Sequence, residues 1–289
     1  GAGLGFEGLG FMLTDMDGQP HIRQRKLISS GFTPRMTARL DDLAREWAVS
    51  IVDEAIEREN VEFVQEVAYQ LPMHMIADVL GIPKEDRAWL FTLLNDMLLC
   101  IDPEHPVPES EREGLAAQVF GYGQKISASK RANPTDDVLS TLVKVEDELG
   151  PLGELELDAF FMLLTVAGSE TTRNAISGGM QQLLAEPEQM AALRADPSLM
   201  KSATEEIIRW TSPVAYFKRV AARDTEISGV PIKEGDRVTL WYPSANRDEE
   251  AFEDPFRFDI RRKKNEHVSF GGGGPHFCLG AHLARREIT

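Results

Sequence analysis

Apolar residues recur at helical spacing over most of the chain. Between Thr37 and Glu59 they fall at Leu40, Leu43, Trp47, Ile51, Ala55 and Ile56, which places them on one face of a helix. Comparable patterns predict helices over about 61–81, 85–101, 111–131, 155–185 and 198–210. The texture changes between Val214 and Tyr242. There EISGVPIKEGDRVTLWY alternates, with turns at Gly229 and Gly235, and predicts short strands. An irregular stretch follows, then a glycine run and a last helix predicted to begin near Cys278. The fold class is therefore mainly α with a small late β region, and its element order excludes a doubly wound sheet. No linker, low-complexity tract or internal repeat divides the chain, so a single domain over 1–289 is expected.

Composition narrows the function. A chain of 289 residues with 42% apolar residues can bury a large core. A net charge of -16 argues against general affinity for nucleic acid or anionic lipid. The longest apolar run, Ala159 to Gly168, is too short to span a bilayer, and the first residues carry neither a basic leader nor a cleavage site. A cytoplasmic protein with no membrane span is expected. With only Cys100 and Cys278, a disulfide framework is not expected, and a reducing compartment fits. Gly3, Gly5 and Gly8 spell a dinucleotide fingerprint, but no strand precedes them and no alternation follows, so they read as a chain start.

The densest chemistry lies in HVSFGGGGPHFCLGAHLARREI, positions 267 to 288. Gly271 to Gly274 let the backbone approach a flat object closely, and Gly280 leaves room beside the sulfur. Cys278 at a helix start is favoured as a thiolate by the dipole and free amides. A thiolate pressed against a planar cofactor is what a cysteine-ligated haem iron requires. Other readings stay open on these residues alone. The run could cradle phosphate, although no Lys or Ser follows at that spacing. His276, Cys278 and His282 could hold zinc. Cys278 could also be an inert buried residue.

This loop resembles the signature of the cytochrome P-450 monooxygenases: Phe270, His276, Cys278 and Gly280 match it. Phe270 stands eight residues before Cys278, one more than the commonest spacing, a longer loop shared with actinobacterial branches that oxidise steroids and methyl-branched lipids. The resemblance implies haem b held through Cys278 as the metal ligand, with Phe270, Gly271, His276 and Gly280 around it. It runs from about Gly10 to Thr289, and since the family's chain continues at both ends, an incomplete cytochrome P-450 fold is expected.

Four further segments fall in the family's order. Ala167-Gly168-Ser169-Glu170-Thr171-Thr172 lies inside the long apolar helix, where a Gly beside hydroxyls can open the backbone ladder. By resemblance Ala167, Gly168 and Thr171 line the cofactor, and Glu170 and Thr171 are catalytic, managing protons for dioxygen. Glu206 and Arg209, at i,i+3, share a helix face. The family joins such a pair to an Arg of a P-x-R-F segment, here Arg257 in Pro255-Phe256-Arg257-Phe258, as a buried structural network. His21 and Arg25, at i,i+4, present two cationic donors on one face. By resemblance they bind one haem propionate, and Arg219 with His276 the other. Arg23 and Lys26 leave open a simply solvated basic helix.

The implied activity is hydroxylation of an apolar substrate with dioxygen and two supplied electrons, and the same resemblance points to a steroid or branched lipid as the substrate. Positions 261–289 reverse the sign of the chain, with Arg261, Arg262, Lys263, Lys264, Arg285 and Arg286 against Glu266 and Glu287. That reversal would steer an acidic electron donor, and a ferredoxin with its ferredoxin reductase is expected. Two other functions compete: a haem-binding carrier without oxygenase activity, and a zinc-stabilised helical module.

Overall fold

The computed structural model describes residues 12–100, 102, 104 and 107–289; the fingerprint glycines lie outside them. The chain divides into two compact units, residues 1–173 with 282–287, and residues 174–281 with 288–289.

In the first unit, α1 (Gly18–Ser29) and α2 (Pro34–Ile56) are followed by a π-helical turn (Val64–Ala68) running into α3 (Gln70–Val79). Then come α4 (Lys84–Leu99), α5 (Glu109–Ala132), α6 (Val138–Leu142), the hairpin strands β1 (Glu146–Asp147) and β2 (Gly150–Pro151), and α7 (Glu154–Ala185), which continues beyond Arg173. Local chemistry sets these limits. Thr33 caps α2 by accepting from the Met36 amide at 3.2 Å. Gly81, at φ +62°, ends α3 while the Ile82 amide reaches back to Ala77 O at 2.7 Å. Asp137 caps α6 through the Ser140 amide at 2.7 Å and pairs with buried Lys130 at 2.7 Å. The core sits where α2 packs on α3 and α4 on α5, with Met73, Met75, Leu80, Leu90, Leu94 and Met97 buried. α6 and the β1–β2 hairpin were not foreseen; both are too short to show a period.

The second unit holds the rest of α7, α8 (Pro187–Ala195), a 3₁₀ turn (Pro197–Leu199), α9 (Met200–Thr211), strands β3 (Tyr216–Val220), β4 (Thr225–Ile227), β5 (Val230–Ile232) and β6 (Arg237–Trp241), and α10 (Tyr242–Ala245). β3 pairs with β6 and β4 with β5, both antiparallel, so the late strand region is as expected. Leu183, Leu193, Ala203, Ile207, Phe258 and Ile260 form its core. The last helix, α11 (Ala281–Ile288), begins three residues after Cys278 rather than at it. No helix among the described residues is long and apolar enough to cross a membrane.

Candidate functional site

The cysteine loop is shaped by its glycines. Gly271, Gly272, Gly273 and Gly274 have φ of 99°, 63°, 107° and 78°, so four successive residues occupy the region that side chains avoid. The loop closes on itself: the Cys278 amide donates to Phe270 O at 3.0 Å, and the Gly271 amide to Val268 O at 2.8 Å. The Cys278 amide is thus committed to the loop, and the sulfur lies on an exposed turn just ahead of α11. Where a Cβ would stand on Gly273, Gly274 or Gly280 there is nothing within 4 Å, so that face is open. Phe270 lies 5.8 Å from the His267 ring and 6.3 Å from the Phe277 ring, and His276 is half-buried.

The loop's base is fastened to α9 through Asn246. Its amide donates to Ser212 Oγ and Ser269 Oγ, both at 2.8 Å, and its oxygen accepts from the Val268 amide at 2.8 Å. Ser269 in turn donates to Ile208 O at 3.0 Å. Beneath this lies the expected acid–base pair. Arg209 donates to Glu206 through Nε and Nη2, both at 2.8 Å, with both side chains fully buried. Arg209 also reaches the carbonyls of Asn246 at 2.7 Å and Pro255 at 2.9 Å. The third member needs correction. Arg257 is exposed and contributes its main-chain carbonyl to Arg209 at 3.2 Å. The second guanidinium on Glu206 is Arg262, at 3.1 Å and 8% exposed. A turn closed by the Arg262 amide on Asp259 O at 3.0 Å brings Arg262 back onto Glu206, whereas the Arg257 side chain is exposed. Arg262 is thereby spent inside the unit, while Arg261, Lys263 and Lys264 of the basic segment remain exposed. Arg286 of that patch pairs with Asp41 at 3.1 Å.

Arg219, on exposed β3 opposite Val238, stands over the Phe217 ring at 5.9 Å. Sequence reading missed Tyr242. It is buried, its hydroxyl is 3.9 Å from the Cβ position of Gly271, and burial and then Cys278 push its pKa up while Arg219 opposes them. Cys278, Gly271, Tyr242 and Arg219 therefore share one neighbourhood in this unit. The alternation of VTLWY was the available signal, but it does not show which residue reaches the glycine loop.

In the first unit, His21 is 1% exposed and Arg25 half-buried on successive turns of α1. Arg23 is committed elsewhere, to Asp147 at 3.1 Å, Gly150 O at 2.9 Å and Glu156 at 3.7 Å, which ties α1 to the β1–β2 hairpin and removes the reading of a freely solvated basic helix. The Ala167–Thr172 segment is unbroken α-helix, so the opened ladder expected there is not found. Ser169 and Thr171 instead donate to their own turns, to Thr165 O at 2.7 Å and Ala167 O at 2.8 Å. Gly168 serves contact: a Cβ there would stand 2.3 Å from Ile76 Cδ1, so α3 approaches α7 closely only because this residue is glycine. Glu170 pairs with Arg173 one turn on.

Comparison with known proteins decides the family. The sequence profile of cytochrome P-450 matches residues 108–289. The chain belongs to the cytochrome P-450 family. It is 43% identical over 279 residues to the steroid C26-monooxygenase of Mycobacterium tuberculosis, covering 96% of this chain and 64% of that protein. The methyl-branched lipid omega-hydroxylase of the same organism is 42% identical over 277 residues, covering 94% and 65%. The chain thus spans less than two thirds of these curated relatives. Among solved structures, a Mycobacterium marinum cytochrome P-450 in complex with pseudoionone aligns with a TM-score of 0.92 at 38% identity, over all of this chain and 71% of that one. A Bacillus megaterium cytochrome P-450 in complex with testosterone aligns with a TM-score of 0.88 at 33% identity, over 98% and 76%.

The residues present fit haem b, the cofactor of this cytochrome P-450 family. Cys278 offers an accessible sulfur beside Gly273, Gly274 and Gly280, whose Cβ positions meet nothing within 4 Å, and Arg219 supplies a cation in the same neighbourhood. Among the described residues no group of three or more His, Cys, Asp or Glu side chains could hold a metal ion, so the zinc reading of His276, Cys278 and His282 fails. His282 lies instead 3.4 Å from Asp41.

Proposed function

We propose that the chain is the haem-binding portion of a monooxygenase that hydroxylates an apolar substrate with dioxygen and two electrons. The observation that carries this reading is the exposed Cys278 sulfur on a loop of four left-handed glycines. Bound there, the haem supplies the activation of dioxygen that no side chain can perform. Cys278 would hold the haem iron through its sulfur. Phe270, Gly271, His276 and Gly280 would surround the sulfur, Arg219 and His276 would pair with one haem carboxylate, and His21 and Arg25 would pair with the other. Ala167, Gly168 and Thr171 line the cofactor. Glu170, 27% exposed, exchanges protons with solvent, and the Thr171 hydroxyl passes them on. Thr171 can do so while bonded to Ala167 O only by rotating its hydroxyl, which costs one hydrogen bond.

The substrate we infer is a steroid or a methyl-branched lipid, the classes named for the 43% and 42% identical relatives. Electrons come from a ferredoxin and its reductase, with the ferredoxin docking at Arg261, Lys263 and Lys264, and the protein works in the cytoplasm.

Cys278→Ser tests the reading. The reduced carbon monoxide spectrum of the full-length haem protein should lose its thiolate band and product should vanish, whereas Cys100→Ser, a buried thiol, should change neither. An unaltered spectrum in Cys278→Ser removes the assignment.

A further inference from the structure

We propose that His267 is a positioning residue for Cys278: Glu205 fixes its ring, and the ring holds Phe270, whose carbonyl takes the Cys278 amide. The inference rests on Cys278 as the haem ligand. All of these residues belong to the second unit. One turn of α9 meets the segment leading into the cysteine loop at two points. A Glu205 carboxylate oxygen lies 3.0 Å from His267 Nε2, and Ile208 O accepts from Ser269 Oγ at 3.0 Å. The His267 side chain is 3% exposed and that of Glu205 25%. The Ser269 amide can only donate, and it meets His267 Nδ1 at 3.4 Å. Nδ1 is therefore an acceptor, the ring hydrogen sits on Nε2, and Nε2 donates to Glu205. These two bonds select one tautomer and one orientation of the ring.

Asn246 and Ile208 hold residues 268 and 269 by hydrogen bonds. At Phe270 the contact passes to rings. Its centroid lies 5.8 Å from that of His267 and 6.3 Å from that of Phe277, the residue before Cys278. The Phe270 carbonyl accepts from the Cys278 amide at 3.0 Å, and this bond closes the loop. The residues inside the closure include four glycines at positive φ, which have no side chains with which to keep the loop's shape. The place of Phe270 therefore decides how firmly the turn carrying the sulfur is held. Each hydrogen-bond donor that reaches a thiolate draws charge from it, and this raises the reduction potential of an iron it holds. With the Cys278 amide spent on Phe270 O, the turn ahead of α11 stays closed. Releasing Phe270 opens the turn and lets amide or water donors approach the exposed sulfur.

The test compares His267→Leu, Glu205→Ala and Glu205→Gln in the full-length haem protein, with two readouts that need no turnover. The first is hydrogen exchange, by mass spectrometry, of the peptide that carries the Cys278 amide. His267→Leu and Glu205→Ala should speed it about tenfold relative to the amides of α9, the effect of losing one local hydrogen bond. The second is the reduction potential of the haem, which both variants should raise. Glu205→Gln keeps an oxygen that accepts from Nε2, so it should return both readouts most of the way to wild type. If His267→Leu speeds exchange in α9 as much as at Cys278, His267 is structural and the proposal fails. Unchanged exchange at Cys278, or faster exchange there with an unmoved potential, also overturns it. Should His267→Leu not fold, Glu205→Ala decides on the same two readouts. The haem reading falls separately, by an unaltered carbon monoxide spectrum in Cys278→Ser.

Discussion

Glu206–Arg209 and Glu170–Arg173 carry the same spacing, an acid followed three residues later by an arginine on a helix, and the fold treats them oppositely. In the second unit Glu206 accepts from Arg209 twice, from Arg262 and Asn265 at 3.1 Å, and from the Asp259 amide at 2.9 Å. Arg209 gives its remaining hydrogens to main-chain carbonyls of Asn246, Pro255 and Arg257. Nothing there is free to move, so this pair is a foundation. In the first unit Glu170 is partly open to water and Arg173 keeps an unused Nε. The lesson is that satisfaction of hydrogen bonds, not spacing, separates a pair locked into the core from one with slack.

The widest gap between the two should appear in stability. Glu206→Gln leaves two buried guanidiniums without their counter-charge and should cost about 3–5 kcal/mol in denaturant unfolding. Glu170→Gln leaves one guanidinium, that of Arg173, without its hydrogen-bonded acid at a partly open site and should cost less, about 1–3 kcal/mol. Equal losses would end the comparison.

A smaller difference sharpens the account of Arg262. Its guanidinium donates to Glu206 and to the carbonyls of Glu253, Asp254 and Arg257, so Arg262→Ala should destabilise by about 2–3 kcal/mol. Arg257→Ala removes an exposed side chain and keeps the carbonyl, so its change should stay within about 0.5 kcal/mol. The reverse order in urea melts would return Arg257 to the network.

The smallest effect is confined to acid pH and concerns one ring of the first unit that is kept uncharged. His74 stacks on Trp47 with ring centroids 3.8 Å apart and meets Phe91 edge-on. Desolvation by burial, then Arg87, lowers its pKa to about 4 from the ordinary 6.5, against the opposing pull of Asp78. The unfolded chain binds a proton on this ring between those two values while the folded chain does not. Stability from the neutral ring is therefore complete above about pH 6.5 and falls as pH drops toward 4. His74→Phe should flatten that part of the stability–pH curve, and an unchanged slope would show that carboxylates elsewhere set it.

Where local pattern and final structure agree, the reason is that the interaction is itself local. α2 and α7 follow their apolar periods, Thr33 and Asp137 cap with their own side chains, and the glycine run needs no partner to adopt positive φ. The start of α11 was misplaced because the Cys278 amide is spent on Phe270 O, a bond across eight residues. Tyr242 escaped notice for a similar reason: its position near Gly271 and Cys278 depends on how α10 meets the loop.

The sequence by itself determined the helix-rich class, the short late strands and the glycine conformation of residues 271–274. Those depend on side-chain period and on the absence of a Cβ, both of which are written residue by residue. Tertiary structure alone decided that Arg262 and not Arg257 faces Glu206, that Arg23 is spent on the hairpin, and that Gly168 is needed for the approach of Ile76. Each of these turns on which distant group fills the last few ångströms beside a charge or a helix, and one-dimensional spacing does not encode that distance.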